Sequence, residues 1–183
     1  MLLSVIIPVY NRPDEVKELL QSFIAQSFSS YEIIIVEDGS EITCEGICDT
    51  FKESLPINYI FKANGGPSSA RNAGVSYAMG EYLLFLDSDT ILPAGYLQCI
   101  ADYIEVHSPD LFGGPDRAAK SFTPLQKAIS YSMTSFFTTG GIRGSGRKLT
   151  KFIPRSFNMG VKREVFDKVG GFSNMRFGED VDF

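Results

Sequence analysis

Four short apolar runs, at residues 2–9, 32–36, 57–61 and 82–86, alternate with stretches of helical periodicity. That alternation commits the chain to repeated βα units on a mostly parallel sheet, because parallel strands must be joined by a crossover long enough to hold a helix. Between the first two runs, Val16, Leu19, Leu20, Phe23 and Ile24 fall at i, i+3, i+4, i+7 and i+8. They form one face of a helix that Pro13, Asp14 and Glu15 open. Cys44, Ile47, Cys48 and Phe51 repeat the pattern after the second run. Asn64-Gly65-Gly66-Pro67-Ser68-Ser69 reads as a loop feeding a helix over 67–79, with Gly80 as its stop. After the fourth run, Pro93 opens a helix carrying Leu97, Ile100, Ala101 and Ile104. Beyond residue 110 the pattern loosens, leaving a short strand at Leu111-Phe112, a helix over 124–137 and a basic glycine-rich loop over 140–148. That loop has the spacing of neither a dinucleotide fingerprint nor a P-loop.

With 183 residues the chain suits one sizeable core, so a single domain is expected. Its 17 basic and 22 acidic residues leave a net charge of −5, which argues against nucleic acid as the partner. An acidic protein that handles a diphosphate needs local help from a metal, a few arginines or helix N-termini. The three cysteines, Cys44, Cys48 and Cys99, lack paired zinc spacing and sit among apolar residues, so buried free thiols are expected. His107 is the only histidine, which rules out a multi-histidine metal site, and it reads as a surface residue at a helix end. The apolar opening lacks a basic start and runs into Pro8, so it reads as a strand and not a signal peptide. With no run of membrane-spanning length, the expected compartment is the cytoplasm, with contact at the inner face of a membrane left open.

In such sheets the site lies at the carboxyl ends of the strands. The fourth run ends in Asp87-Ser88-Asp89, and two hard carboxylates at a strand end suit Mg2+ or Mn2+ bridging to a diphosphate. Taken alone, the pair reads equally well as a strand-end turn. Glu37-Asp38-Gly39-Ser40 ends the second run and presents another carboxylate at the same edge, able to accept hydrogen bonds from a base or ribose or to make a capping turn. Arg71 lies in the first turns of the helix after the glycine loop, where its planar fork suits phosphate. The other reading is a solvated helical arginine. Gly178-Glu179-Asp180-Val181-Asp182 supplies a carboxylate able to take a proton from an attacking hydroxyl, or simply an acidic helix start. Arg143, Arg147 and Lys148 form either a lid that closes on phosphate or a solvated surface loop. Tyr131, Phe136 and Phe137 read as core packing ahead of a sugar-stacking groove.

Ser4-Val5-Ile6-Ile7-Pro8-Val9-Tyr10-Asn11, Val36-Glu37-Asp38-Gly39-Ser40, Ala70-Arg71-Asn72-Ala73-Gly74, Leu86-Asp87-Ser88-Asp89 and Gly178-Glu179-Asp180 together resemble the ordered motifs of family 2 glycosyltransferases. The resemblance implies a Rossmann-like α/β fold of GT-A type, with residues 1–110 as the nucleotide-sugar half and 111–183 as the acceptor half. It implies metal-dependent, inverting transfer of a sugar from a nucleotide-diphosphate donor, UDP by default, to a saccharide or lipid-linked hydroxyl. Pro8, Tyr10 and Asp38 would hold base and ribose, Arg71 the diphosphate, Asp87 and Ser88 the donor, Asp89 with Asp87 the Mn2+ or Mg2+. Asp180 would be the general base, with Glu179, Arg143 and Arg147 on the acceptor side. Two departures stand out: Glu37 replaces the more usual Asp, and the chain ends at Phe183, where the family's catalytic domain continues into a helix. The stretch is therefore expected to be incomplete at its C-terminus. A sugar-phosphate nucleotidyltransferase would need a glycine-rich basic loop after the first strand, where this chain has Tyr10-Asn11-Arg12-Pro13-Asp14. A nucleotide-sugar-binding module without transfer is the non-enzymatic alternative.

Overall fold

The computed structural model describes residues 1–114, 123–125, 128, 131 and 157–173. Among them are six strands, β1 (Leu3–Val9), β2 (Tyr31–Asp38), β3 (Ile57–Lys62), β4 (Tyr82–Leu86), β5 (Leu111–Gly113) and β6 (Asn158–Lys162). They form one sheet in the order β3-β2-β1-β4-β6-β5. The first four are parallel to one another, as the βα alternation requires, and β6 runs antiparallel to both β4 and β5. The helices are α1 (Pro13–Ile24), α2 (Glu45–Phe51), α3 (Pro67–Val75), α4 (Tyr96–His107) and α5 (Arg163–Val169). No helix among the described residues is long and apolar enough to cross a membrane.

Alternation along each strand sorts the core into two layers. Leu3, Val5, Ile7 and Val9 of β1 join Ile33, Ile35, Leu84 and Leu86 on the face covered by α1, α2 and α4. Ile6, Ile34, Val36, Leu83 and Phe85 turn to the other face, beneath α3 and α5. Val16, Leu19, Leu20 and Phe23 of α1 land buried in the first layer as their spacing demands, whereas Ile24, expected on the same face, is the last residue of the helix and is 52% exposed. Each such side chain contributes about 1.5–3 kcal/mol of transfer free energy. On the opposite face α3 lies directly on the sheet, because a Cβ at Gly74 would come within 2.6 Å of Ile6 Cγ2. The chain winds from β1 to β3 in one direction and then returns, through α3, to put β4 on the other side of β1. That reversal opens a crevice at the carboxyl ends of β1 and β4.

Several expectations need correction. The helix expected over 67–79 ends at Val75. Sheet side chains capture the amides that would have continued it: Met79 N–H donates to Glu32 Oε1 at 2.6 Å and Gly80 N–H to Ser4 Oγ at 2.8 Å. Ser4 also donates to Glu32 at 2.7 Å, so a buried polar pair hidden in two apolar runs sets the helix end. The helix expected from Pro93 starts at Tyr96, after Gly95 adopts φ +75°. Cys44 and Cys48 are buried free thiols, but Cys99 is exposed, since Leu97, Ala101 and Ile104 take the core side of α4. Tyr131 is 71% exposed and does not pack in the core. The expected helix over 124–137 lies largely outside the described residues, as do the loop over 140–148, Phe136 and Phe137.

Candidate active site

The cleft at the switch point, of about 320 Å³, is lined by Pro8, Val9, Tyr10 and Arg12 from β1 and the turn after it, and by Asp38 at the end of β2. Asn64, Gly66, Pro67 and Arg71 close it from the start of α3, and Asp87, Ser88 and Asp89 from the end of β4. All seven donor-side candidates, Pro8, Tyr10, Asp38, Arg71, Asp87, Ser88 and Asp89, therefore face one space. Asp180, Glu179, Arg143 and Arg147 lie outside the described residues.

The two residues that end β2 divide their work between interior and cleft. Glu37 is fully buried and accepts from Cys44 N–H at 2.8 Å, from Tyr59 OH at 3.3 Å and from Ser40 Oγ. A shorter acid would not reach as far toward the α2 start, which gives the Glu its purpose here. Burial, with the Glu37 charge adding to it, pushes the Tyr59 phenol above its ordinary range. The Cys44 thiol is pushed up by its contact with Cys48, by burial and by Glu37, and so stays protonated. Asp38 turns the other way and organises the loop before α3. Its Oδ1 accepts from Lys62 Nζ at 2.5 Å and Gly65 N–H at 3.0 Å, and its Oδ2 from Gly66 N–H at 2.7 Å. Asn64 Nδ2 adds a bond to the Asp38 carbonyl at 2.8 Å.

Arg71 is 4% exposed and not the solvated arginine that a lone helical residue suggests. Its Nη2 donates to Asp87 Oδ1 at 3.0 Å, and its guanidinium carbon stands 5.6 Å from the Phe172 ring centroid. Phe172 packs edge-on against Phe85 at 4.9 Å and against Phe166 at 5.8 Å. Asn72 locks it from the backbone, donating to Phe172 O at 2.8 Å and accepting from Phe172 N–H at 3.0 Å. Reading the sequence missed this support, because Arg71-Asn72 and Gly170-Gly171-Phe172 lie a hundred positions apart in separate motifs. Burial pushes the Asp87 carboxyl up from its ordinary value; Arg71 opposes that shift and the neighbouring Asp89 adds to it.

Arg12 went unassigned in the sequence, although it follows Tyr10-Asn11 directly. It donates from Nη1 to Asp89 Oδ2 at 3.2 Å across the cleft mouth. Asp87 and Asp89 are both partly exposed and offer hard oxygens, a donor set that fits Mg2+ or Mn2+ completed by phosphate oxygens and water. No three His, Cys, Asp or Glu side chains among the described residues converge on a metal position. A cation held here would rely on its substrate for further ligands.

A crevice at this point of a parallel sheet is where such folds bind their ligands, and the family follows from the sequence as a whole. Residues 4–170 match the Glycosyl transferase family 2 profile. The chain belongs to glycosyl transferase family 2. The fold is of GT-A type, as in S. aureus TarS 1-349, and Bacillus subtilis (strain 168) EpsJ, whose name describes it as an uncharacterized glycosyltransferase, is 30% identical over 189 residues, spanning 100% of this chain and 53% of EpsJ. GgaB of the same organism, a minor teichoic acid biosynthesis protein, is 27% identical over 182 residues, spanning 97% of this chain and 20% of GgaB. Among solved structures, S. aureus TarS 1-349 in complex with UDP superposes with a TM-score of 0.77 at 25% identity, covering 98% of this chain and 53% of TarS 1-349. The chain thus spans about half the length of EpsJ and of that TarS structure, and less of GgaB.

Proposed function

We propose that the cleft binds a nucleotide-diphosphate sugar with a divalent cation, Mn2+ or Mg2+, and that the protein transfers the sugar with inversion to a hydroxyl of a saccharide or lipid-linked acceptor. The convergence of the seven donor-side residues on one cleft, at the reversal of the strand order, carries this reading. Pro8, Tyr10 and Asp38 take the base and ribose, the last also holding the Asn64–Gly66 loop in shape. Arg71 offers its fork to the diphosphate, and its buried contacts keep it from reorganising as charge develops. Asp87 and Asp89 hold the cation, which when bound supplies a Lewis acid for the departing diphosphate.

In the transfer itself, the acceptor oxygen attacks the anomeric carbon from the side opposite the donor phosphate. The bond from that carbon to the phosphate oxygen breaks, its electron pair leaves on the diphosphate, and Asp180 takes the hydroxyl proton. Glu179, Arg143 and Arg147 serve the acceptor side, the arginines closing on phosphate. UDP is the preferred nucleotide, a choice supported by the UDP complex of TarS. We assign the reaction to the cytoplasm, with lipid-linked acceptors met at the inner face of the membrane.

Thermal melts with UDP, dTDP, GDP and UDP-sugars, each with and without Mn2+, test the donor class. Saturation with UDP at a hundred times its Kd, in the presence of Mn2+, should add about 2.7 kcal/mol of stability. A melting temperature that no nucleotide moves, whatever the metal, would sink the reading.

A further inference from the structure

Arg12 is the cleft residue whose position is most deliberately built and least accounted for. Asn11 before it adopts φ +53°, a left-handed backbone uncommon outside glycine that asparagine tolerates better than most residues, and here its surroundings fix it. The fixing is explicit. Asn11 N–H donates to Ser40 Oγ at 2.7 Å, and Asn11 Oδ1 accepts from Glu41 N–H at 2.8 Å and Ile42 N–H at 3.1 Å. The turn after β1 is thereby riveted to the turn after β2. Arg12 then occupies the N-cap position of α1 without capping it through its side chain. Its carbonyl accepts from Val16 N–H at 3.2 Å, and its guanidinium goes to the cleft instead.

There the guanidinium stands between two carboxylates, 3.2 Å from Asp89 Oδ2 and 3.9 Å from Glu15 Oε1. Arg12 and Asp89 are about half exposed, at 49% and 58%, so water competes for both and the contact is readily exchanged. The oxygen Arg12 uses is one that a divalent cation would need. We propose that Arg12 is an exchangeable counter-ion of Asp89: a divalent cation displaces it, and the released guanidinium, retained at the rim beside Glu15, then faces the donor diphosphate. This rests on the proposed role of Asp87 and Asp89 in holding the cation. It goes further in making Arg12 a positioning residue that opposes the metal alone and favours metal and diphosphate together. The arithmetic of charge supports both halves. Arg12⁺ repels a dication at Asp89, whereas a cation with a diphosphate presents net negative charge to a guanidinium whose planar fork matches phosphate.

The test separates the two effects by sign. Binding of Mn2+ alone to the chain, followed by the loss of the free-ion electron paramagnetic resonance signal, should be about two- to fivefold tighter in Arg12→Gln than in the wild type, the range expected for release of one exposed ion pair. Binding of UDP at saturating Mn2+, by calorimetry, should be weaker in the same variant by a similar factor. A residue with a merely structural role would weaken both or neither, and unchanged thermal melting would confirm that the variant is folded. Arg12→Lys, which keeps the charge without the fork, should retain the opposition to Mn2+ while losing part of the UDP affinity. Equal or weaker Mn2+ binding in Arg12→Gln overturns the proposal and leaves the donor-site reading standing. Absence of Mn2+ binding to either protein, in the presence of UDP as well as without it, overturns both.

Discussion

Arg71–Asp87 and Arg12–Asp89 pair the same side-chain types across the same cleft, at 3.0 and 3.2 Å, yet they are built to opposite ends. The Arg71 side chain is 5% exposed and rests on the Phe172 ring, which Phe85, Phe166 and Asn72 hold in place. Arg12 projects from a turn at the rim and shares itself between Asp89 and Glu15. Burial converts the inner pair into fixed geometry and leaves the outer pair free to exchange partners. The two aspartates lie only two positions apart on the chain, so the difference comes from what the opposite walls supply.

That contrast extends inward to Glu37, which lies wholly in the interior, and the expected effects of substitution follow depth. Glu37→Ala should be the most damaging to stability, at about 3 kcal/mol, because it strands the Cys44 amide and the Ser40 and Tyr59 hydroxyls without an acceptor. Urea unfolding checks it. Glu37→Asp keeps the charge with one methylene less and should recover part of the loss. If Glu37→Ala unfolds like the wild type, depth is not what distinguishes these carboxylates.

Arg71→Ala comes next, at about 2 kcal/mol of stability. The figure is below that for breaking a fully buried pair because the Asp87 side chain is 40% exposed and water can take up part of its charge. The same variant should bind UDP with Mn2+ at least tenfold more weakly by calorimetry. Arg71→Lys should not restore binding, since an ammonium cannot lie flat on Phe172 while bridging Asp87 and a phosphate. Recovery by lysine would mean that charge alone, and not the anchored fork, is what the inner wall provides.

The same depth divides what could be read from the sequence. The parallel strands and α1 were legible because their signals are local: period-2 and period-3.6 apolar patterns with punctuating Pro and Gly. That the carboxylates after β4 and Asp38 would share one cleft was legible because strand ends are where such sheets bind ligands. By contrast, β6 gave no sign of itself. Its five residues, Asn158–Lys162, centre on Gly160, which is required because a Cβ there would come within 2.0 Å of Phe112 Cζ of β5. That constraint is a tertiary contact with no echo in propensity. The Ser4–Glu32 pair that ends α3, the Asn72–Phe172 clasp beneath Arg71 and the Asn11 rivet that aims Arg12 are of the same kind. Each joins segments at least 28 positions apart by side-chain hydrogen bonds, and neither partner alone carries a pattern.

Asp89→Asn should have the smallest effect on folding and is the sharpest probe of the rim. Among the described residues its ion-pair partner is Arg12, half exposed, so unfolding free energy should change by no more than about 0.5 kcal/mol. Nucleotide binding should respond quite differently. An amide offers a cation one neutral oxygen in place of a carboxylate, so the gain in UDP affinity that Mn2+ confers on the wild type should fall at least tenfold, while UDP binding without Mn2+ should hold or improve slightly as a negative charge leaves the diphosphate's path. Calorimetry with and without Mn2+ reads both terms. A variant that keeps the full Mn2+ enhancement would move the metal role to Asp87 alone and erase the functional distinction between the anchored and the exchangeable pair.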